Sequence, residues 1–201
     1  MSIVYLVRHG QTLWNSDMRF QGTSDIELSD LGIKQAQMLA DRFAKVKLNA
    51  VYSSNLNRAV NTAKIVAQKH DLQVIEKEEL KEICFGAWEG LNKTQIDEKW
   101  PGQLEEFFQN PVSFCIPAGE SFAQIQQRAY TCFEEILKQH KESRILIVAH
   151  GAVIRAVLAE ILKMDLSAVW NLRQENTAVN IINNYGERKI VSLINDTRHL
   201  L

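Results

Sequence analysis

The chain begins with an apolar run that stops at an arginine, a histidine and a glycine: Ile3-Val4-Tyr5-Leu6-Val7-Arg8-His9-Gly10. A short, continuous run rich in branched residues is typical of a strand buried on both faces of a sheet. A second run of this kind, from Ile145 to Ala149, ends in His150-Gly151, and a briefer one, from Ala50 to Tyr52, ends in Ser53-Ser54. We therefore expect strands that lie inside one sheet and carry polar residues at their carboxyl ends.

Apolar residues recur at helical spacing between and after these runs. The four segments with this pattern are residues 31–43, 56–66, 121–137 and 153–162. Ser29 precedes the first as a candidate N-cap, and Ser121 with Gln124 has capping-box spacing. Near the C-terminus, residues 178–182 and 189–194 flank Asn183-Asn184-Tyr185-Gly186, which favours a hairpin. This order predicts an α/β fold: a mostly parallel sheet with helices on both faces and room for an antiparallel edge.

One part of the chain interrupts the alternation. All three prolines lie between residues 99 and 118, and the surrounding stretch holds six aromatic residues: Phe85, Trp88, Trp100, Phe107, Phe108 and Phe114. Such a stretch is too apolar for a linker. We expect a single domain over residues 1–201, with a cap-like excursion at about 80–117 that packs over the sheet.

Composition excludes several classes of partner. The 201 residues include 23 Lys and Arg against 24 Asp and Glu, so the net charge is −1. A general nucleic-acid binder or a membrane-surface protein would carry a basic excess, and neither partner is expected here. The three cysteines have no C-x-x-C spacing, and we see neither a signal peptide nor a long apolar run. We expect a cytoplasmic protein; the oligomeric state is left open, a homodimer included.

The strand ends carry the candidate chemistry. Ligands of open α/β sheets bind in the crevice beyond the carboxyl ends of the strands, where His9 and His150 would both lie. Arg8 precedes the first histidine, and Arg58 falls in the first turn of the helix after the third run. Guanidinium groups grip phosphate oxygens in pairs. Two arginines and two imidazoles at one point predict a pocket for a phosphate dianion.

These residues resemble the histidine phosphatase superfamily, which contains cofactor-dependent phosphoglycerate mutases and related phosphatases. The matching stretches begin with Leu6-Val7-Arg8-His9-Gly10-Gln11-Thr12, Trp14-Asn15, Arg19-Phe20-Gln21-Gly22 and Leu28-Ser29-Asp30-Leu31-Gly32. They continue with Ser53-Ser54-Asn55-Leu56-Asn57-Arg58-Ala59, Thr62-Ala63, Glu82-Ile83-Cys84-Phe85-Gly86-Ala87-Trp88-Glu89-Gly90 and Ala149-His150-Gly151. The resemblance therefore spans nearly the whole chain and implies a phosphoglycerate mutase-like three-layer fold.

By position, the resemblance implies a role for each site residue. His9 would be the nucleophile that forms a phosphohistidine, and Glu82 would protonate the leaving alcohol. The groups that hold the phosphoryl oxygens would be Arg8, Arg58 and His150 with Gly151, and Asn15 and Gln21 would be further donors. Physical chemistry agrees, because nearby cations disfavour a protonated imidazole and should keep His9 nucleophilic.

Within the family, water or a second substrate oxygen can take the phosphoryl group. Gly90-Leu91-Asn92-Lys93 resembles the mutase stretch, but Lys99 is the only basic residue between Lys93 and Arg128. We therefore expect a metal-independent phosphatase without a cofactor, acting on a small phosphomonoester, with a mutase as the alternative. Candidates by resemblance are broad-specificity, α-ribazole and phosphoserine phosphatases. The aromatic residues Trp88, Trp100, Phe107 and Phe108 suggest an apolar leaving group.

Two other classes of protein fit these residues less well. A metal-dependent hydrolase would need a ligand pattern such as H-E-x-x-H, D-x-D or H-x-H, and none occurs in the chain. A non-catalytic phosphoprotein-binding module could use the arginines, but it would have no use for His9, His150 and Glu82 together. Whether Lys93 and His199 reach the site is left open by the sequence.

Overall fold

The computed structural model describes all 201 residues and contains one six-stranded sheet. The strands are β1 (Ser2–Arg8), β2 (Ala50–Ser53), β3 (Val74–Glu76), β4 (Arg144–Ala149), β5 (Val179–Asn184) and β6 (Lys189–Asp196). Their order across the sheet is β3-β2-β4-β1-β5-β6; the first four are parallel, while β5 and β6 are antiparallel to their neighbours. The predicted sheet is confirmed. Strand β3 was not predicted. It has only three residues, all half-buried or exposed, so the sequence has no apolar run there to indicate a buried strand.

Helices cover both faces of this sheet. They are α1 (Leu13–Ser16), α2 (Asp30–Phe43), α3 (Asn57–Ala67), α4 (Lys93–Lys99), α5 (Gln103–Gln109), α6 (Phe122–Gln139) and α7 (Gly151–Leu162). On one face, α2 and α3 pack against Val7, Val51 and Val148; on the other, α6 and α7 pack against Val4, Leu6 and Ile147. Alternate residues of each strand therefore enter opposite cores, as the pleat requires. No helix combines the length and apolar character needed to cross a bilayer.

The predicted helix caps are present. The Ser29 hydroxyl accepts from the Gly32 amide at 3.1 Å. Ser121 and Gln124 exchange reciprocal capping hydrogen bonds at the start of α6. These caps satisfy amide groups that the first helical turn leaves without a partner.

The excursion at residues 80–117, here called the cap segment, forms a third apolar core. Trp88 and Phe107 are fully buried within it, with ring centroids 5.6 Å apart. The same core includes Phe122 of α6 and Ala156 of α7. Helices α4 and α5 lie in this segment, so the cap segment is anchored on the helices that cover the sheet rather than on the sheet itself.

Strand register brings the polar strand ends together. Arg8 pairs with Ala149, and Ser53 pairs with Val148. The residues that follow these strands are Ser54 after β2, His150 after β4 and His9 after β1. Because the three strands are adjacent and parallel, these residues lie together at one edge of the sheet. This is the crevice in which ligands of such sheets bind.

Candidate active site

His9 sits directly after β1 and is almost fully buried. Its backbone amide donates to the Ala149 carbonyl at 3.1 Å, which continues the parallel pairing by one residue. Its side-chain Nδ1 lies 2.7 Å from the Gly10 carbonyl oxygen. A carbonyl only accepts hydrogen bonds, so Nδ1 carries the proton and Nε2 carries the lone pair. The local backbone thus leaves His9 with a nucleophilic nitrogen.

The charge state of His9 follows from its surroundings. Burial, then Arg58, then Arg8 hold the pKa of His9 well below its usual value, against a small opposing effect of the Gly10 hydrogen bond. The imidazole is therefore neutral near pH 7. From the sequence, the two arginines were expected to keep His9 neutral. In the structure, desolvation on burial lowers the pKa of His9 more than the arginines do.

Arg58 is fully buried at the start of α3. Its Nη1 donates to the Ser24 carbonyl and its Nη2 to the Gly22 carbonyl, both at 2.7 Å. Its Nε is buried and has no partner in the protein. Burial lowers the pKa of Arg58 to about 10, so the group is still cationic at neutral pH. The hydrogen bonds of Nη1 and Nη2 fix the guanidinium group, and the Nε–H stays free to donate to an anion.

Arg8 and His150 repeat this arrangement. Arg8 Nη1 donates to the Gln174 carbonyl at 2.7 Å, while its Nε is buried without a partner. The His150 ring lies 5.0 Å from the His9 ring between centroids, and its Nδ1 is also buried without a partner. Buried polar atoms in proteins are normally paired. Three unpaired buried nitrogens beside His9 therefore mark a binding position for an electron-rich group.

Glu82 approaches this position from the cap segment. Its Oε1 accepts from the amides of Ile83 at 3.0 Å and Ala152 at 3.2 Å, the latter in the first turn of α7. A methyl group placed on Gly151 would lie 3.8 Å from Glu82 Oε2 and 3.7 Å from Arg8 Nε. The carboxylate and the Arg8 guanidinium therefore meet over the same residue, within reach of one bound group.

A cavity of about 240 Å³ opens beside these side chains. Its lining consists of Arg8, His9, Asn15, Met18, Arg19, Phe20, Gln21, Gly22, Arg58, Glu82, Phe85 and Lys93. The predicted residues Asn15 and Gln21 are both present. The Thr12 hydroxyl lies within hydrogen-bond distance of both side-chain carbonyl oxygens, 2.8 Å from that of Gln21 and 3.2 Å from that of Asn15. The two amide groups keep their N–H donors for the cavity.

The two residues left open by the sequence are now placed. Lys93 lines the cavity, whereas His199 lies in a separate surface cleft with Arg42 and Asp196. His199 Nε2 contacts the Thr177 hydroxyl at 3.1 Å, and the Thr177 amide donates to the Arg8 carbonyl. His199 therefore supports the backbone behind β1 and does not face the cavity.

None of the four rings on which an apolar leaving group was predicted lines the cavity. Trp88 and Phe107 are buried in the core of the cap segment. Trp100 and Phe108 pack against that core and do not line the cavity either. Its aromatic side chains are Phe20 and Phe85, which pack edge to face at 4.9 Å. The expectation of an apolar leaving group rested on the four other rings, so its basis is removed.

Both strand-end glycines are closely approached by other groups of the protein. A Cβ on Gly10 would lie 2.5 Å from the Gly32 carbonyl oxygen, and one on Gly151 would lie 3.0 Å from Arg155 Nη1. Gly10 lets the end of β1 approach α2, and Gly151 leaves room for the guanidinium groups of Arg8 and Arg155.

Sequence reasoning missed Glu89, which joins the cap segment to the loop that holds Arg58. Its carboxylate accepts from the amide and hydroxyl of Thr23, the amide and hydroxyl of Ser24, and the amide of Phe85, at 2.5–3.2 Å. Residues 22–24 supply the two carbonyls that receive Arg58. Glu89 thus affects the site by holding the loop that binds Arg58. Its only signal in the sequence was its place in the stretch from Glu82 to Gly90 that resembles the family.

Ser54 and Arg155 were also missed as individual site residues. Ser54 Oγ lies 2.6 Å from His150 Nε2. Arg155 donates from Nε to the Leu172 carbonyl at 2.7 Å and stacks over Trp170. Its position one helical turn after Gly151 was the available signal, since residues four apart share a helix face. Across the whole chain, no group of three or more His, Cys, Asp or Glu side chains is arranged to hold a metal ion.

The chain is similar to known proteins over its full length. Residues 4–197 match the model of the histidine phosphatase superfamily (branch 1). Phosphoserine phosphatase 1 of Hydrogenobacter thermophilus is 33% identical, covering 97% of this chain and 92% of its own. The metal-independent phosphoserine phosphatase of Arabidopsis thaliana is 36% identical, covering 98% and 82%.

A solved structure, Bacillus stearothermophilus YhfR, superimposes with a TM-score of 0.96 at 33% identity, over 100% of both chains. The mixed sheet and flanking helices are therefore the phosphoglycerate mutase-like fold. With this match and the site geometry above, the chain belongs to the histidine phosphatase superfamily, as a phosphoric monoester hydrolase.

Proposed function

We propose that this enzyme hydrolyses small phosphomonoesters through a phosphohistidine on His9, with Glu82 as general acid and general base. The observation that carries the proposal is the set of three buried, unpaired nitrogens on residues around His9, namely Arg8 Nε, Arg58 Nε and His150 Nδ1, together with a His9 ring whose Nε2 holds the lone pair. Fixed donors of this kind neutralise the oxygens of a transferring phosphoryl group without having to reorganise.

In the first step, the His9 Nε2 lone pair attacks phosphorus. The N–P bond forms while the bond between phosphorus and the ester oxygen breaks. The leaving oxygen takes a proton from the Glu82 carboxyl group and departs as an alcohol. Glu82 suits this role because its two backbone hydrogen bonds, from Ile83 and Ala152, fix the carboxyl group opposite Arg8.

In the second step, water replaces the alcohol. Glu82, now a carboxylate, accepts a proton from the water as its oxygen attacks phosphorus. The N–P bond breaks, inorganic phosphate leaves and His9 regains its lone pair. The Gly10 carbonyl keeps the Nδ1 proton in place throughout, so the same nitrogen reacts in every cycle.

The cavity favours a leaving group that carries a carboxylate. Besides Arg8 and Arg58, its lining includes the cations Arg19 and Lys93, and Glu82 is its only acidic residue. Arg19 is anchored by a 2.6 Å hydrogen bond from Nη1 to the Gly90 carbonyl, and Lys93 Nζ lies 5.4 Å from the Phe108 ring centre. A volume of about 240 Å³ suits a small ester. We therefore propose a phosphoserine-like substrate, in line with the two phosphoserine phosphatases to which the chain is similar.

The test is a set of esters assayed with a chelator present: O-phosphoserine, 3-phosphoglycerate and 4-nitrophenyl phosphate. Phosphate release by the wild type should disappear in His9→Ala and persist in the matched control His70→Ala, whose side chain lies outside the cavity. Rapid quenching should trap an acid-labile, alkali-stable phosphoenzyme in the wild type only.

Two results would overturn the proposal. Interconversion of phosphoglycerates without net phosphate release would indicate a mutase. Binding of phosphate esters with no turnover by the wild type would indicate a phosphate-binding module.

A further inference from the structure

We propose that Ser54 is a positioning residue that fixes the tautomer of His150 with the proton on Nδ1. The inference rests on the proposed function, because it concerns how His150 presents a hydrogen-bond donor to the phosphoryl oxygens. It adds to the reaction a side chain that acts through His150.

The direction of the Ser54 hydrogen bond follows from its two neighbours. Ser54 follows β2, is fully buried, and places Oγ 2.6 Å from His150 Nε2. The Leu56 amide points at the same oxygen from 3.4 Å. An amide can only donate, and a hydroxyl has a single hydrogen. The oxygen itself can accept twice, so the direction is set by the hydrogen: of the two groups in contact with Oγ, only Nε2 can accept it. Buried polar groups are normally paired, so Ser54 donates to Nε2, which holds the lone pair.

The remaining proton of the ring therefore lies on Nδ1. Burial, with Arg58, His9 and Arg8 nearby, holds the pKa of His150 well below its usual value, so the ring carries one proton rather than two. Nδ1 is the buried atom without a protein partner. Beside the His9 ring, 5.0 Å away between centroids, Nδ1 is therefore an N–H donor on offer to a phosphoryl oxygen and not a lone pair, which would repel one.

The two histidines thus have their tautomers set by different parts of the fold. His9 donates from Nδ1 to its neighbour's carbonyl and exposes a lone pair on Nε2. His150 accepts at Nε2 from a hydroxyl on another strand and exposes an N–H on Nδ1. Each ring offers the site the group that its role requires: a nucleophile from one and a donor from the other.

The tautomer can be read directly by nitrogen NMR of ¹⁵N-histidine-labelled protein, since a protonated ring nitrogen resonates well upfield of one with a lone pair. We expect His150 to be protonated on Nδ1 in the wild type and to redistribute its proton between both nitrogens in Ser54→Ala. The matched control is Ser53→Ala, because Ser53 is equally buried but its hydroxyl donates to the Ser54 carbonyl at 2.8 Å. Thermal melts establish that both variants are folded.

The functional readout is competitive inhibition by inorganic phosphate. Losing an oriented donor to a charged oxygen should weaken phosphate binding roughly ten-fold in Ser54→Ala, with partial recovery in Ser54→Thr, which keeps the hydroxyl. Ser53→Ala should bind phosphate as the wild type does.

The inference and the proposed hydrolysis can fail separately. A His150 protonated on Nε2 in the wild type, or a tautomer unchanged in Ser54→Ala, would overturn the inference even if hydrolysis is observed. Because the spectrum needs no substrate, failure of the wild type to release phosphate would leave the tautomer result standing.

Discussion

The rings of His9 and His150 lie 5.0 Å apart between centroids, inclined by 55°, and both residues are buried. Two imidazoles that close could not both be charged beside Arg8 and Arg58. Burial and the arginines lower the pKa of each ring, so the site keeps both neutral. This shared neutrality has consequences for stability as well as for reactivity.

Stability should fall on acidification as these histidines become protonated in the unfolded chain. An unfolded histidine titrates near pH 6.5 and the folded ones titrate lower, so the unfolded state binds more protons between the two values. The stabilisation is complete above about pH 6.5 and declines below it, by up to ~1.4 kcal/mol per pH unit for each ring. Urea unfolding of the wild type and His150→Gln at pH 8, 7, 6 and 5 measures this. The variant should show a shallower decline, and parallel pH dependence in the two proteins would contradict the prediction.

Removing the Glu89 carboxylate should loosen Arg58. Glu89→Ala deprives five donors of residues 23, 24 and 85 of their acceptor, which should cost about 2 kcal/mol or more and weaken phosphate binding. Glu89→Gln keeps one oxygen and should lose less of both. Chemical denaturation and phosphate inhibition measure the two effects. Glu98→Ala, an exposed change in the same cap segment, is the control, and equal effects of Glu98→Ala and Glu89→Ala would refute the assignment.

Substitution of Gly10 should lower the stability of the fold and not only weaken ligand binding. A Cβ there would lie 2.5 Å from the Gly32 carbonyl oxygen, and neither backbone can yield cheaply. Gly10→Ala should therefore lower the free energy of unfolding by about 2 kcal/mol or more. Gly102→Ala is the control: Gly102 has a φ of 78° but nothing near its Cβ position, so only backbone strain of about 1 kcal/mol is expected. Thermal denaturation that ranks Gly102→Ala as the more harmful change would disprove the packing explanation.

Lys93 should contribute to substrate choice and not to phosphate transfer itself. Lys93 lines the cavity and is solvent-exposed, so its attraction to a substrate carboxylate is modest. Lys93→Met should reduce kcat/KM for O-phosphoserine by about five-fold and leave 4-nitrophenyl phosphate unchanged. Lys99→Met, at the other end of α4 and outside the cavity, serves as the matched control. A loss of equal size for both esters would place Lys93 in the transfer step instead.

Much of this molecule was readable from local pattern. Apolar runs identified β1, β2 and β4, helical spacing identified α2, α3, α6 and α7, and the residues after the strands identified His9 and His150. These features are local because burial imposes a period on each segment, and because parallel strands bring their carboxyl ends to one edge.

The tertiary structure alone decided which atoms meet. Nothing in the sequence showed that Ser54, at the end of β2, would reach His150 at the end of the neighbouring strand β4. Nor did it show that Glu89 would hold the loop that receives Arg58. The aromatic cap segment was visible, but whether its rings would line the cavity or fill their own core depended on where α6 and α7 lie. Periodicity records that a side chain is buried and is silent about its neighbours, because those neighbours come from distant parts of the chain.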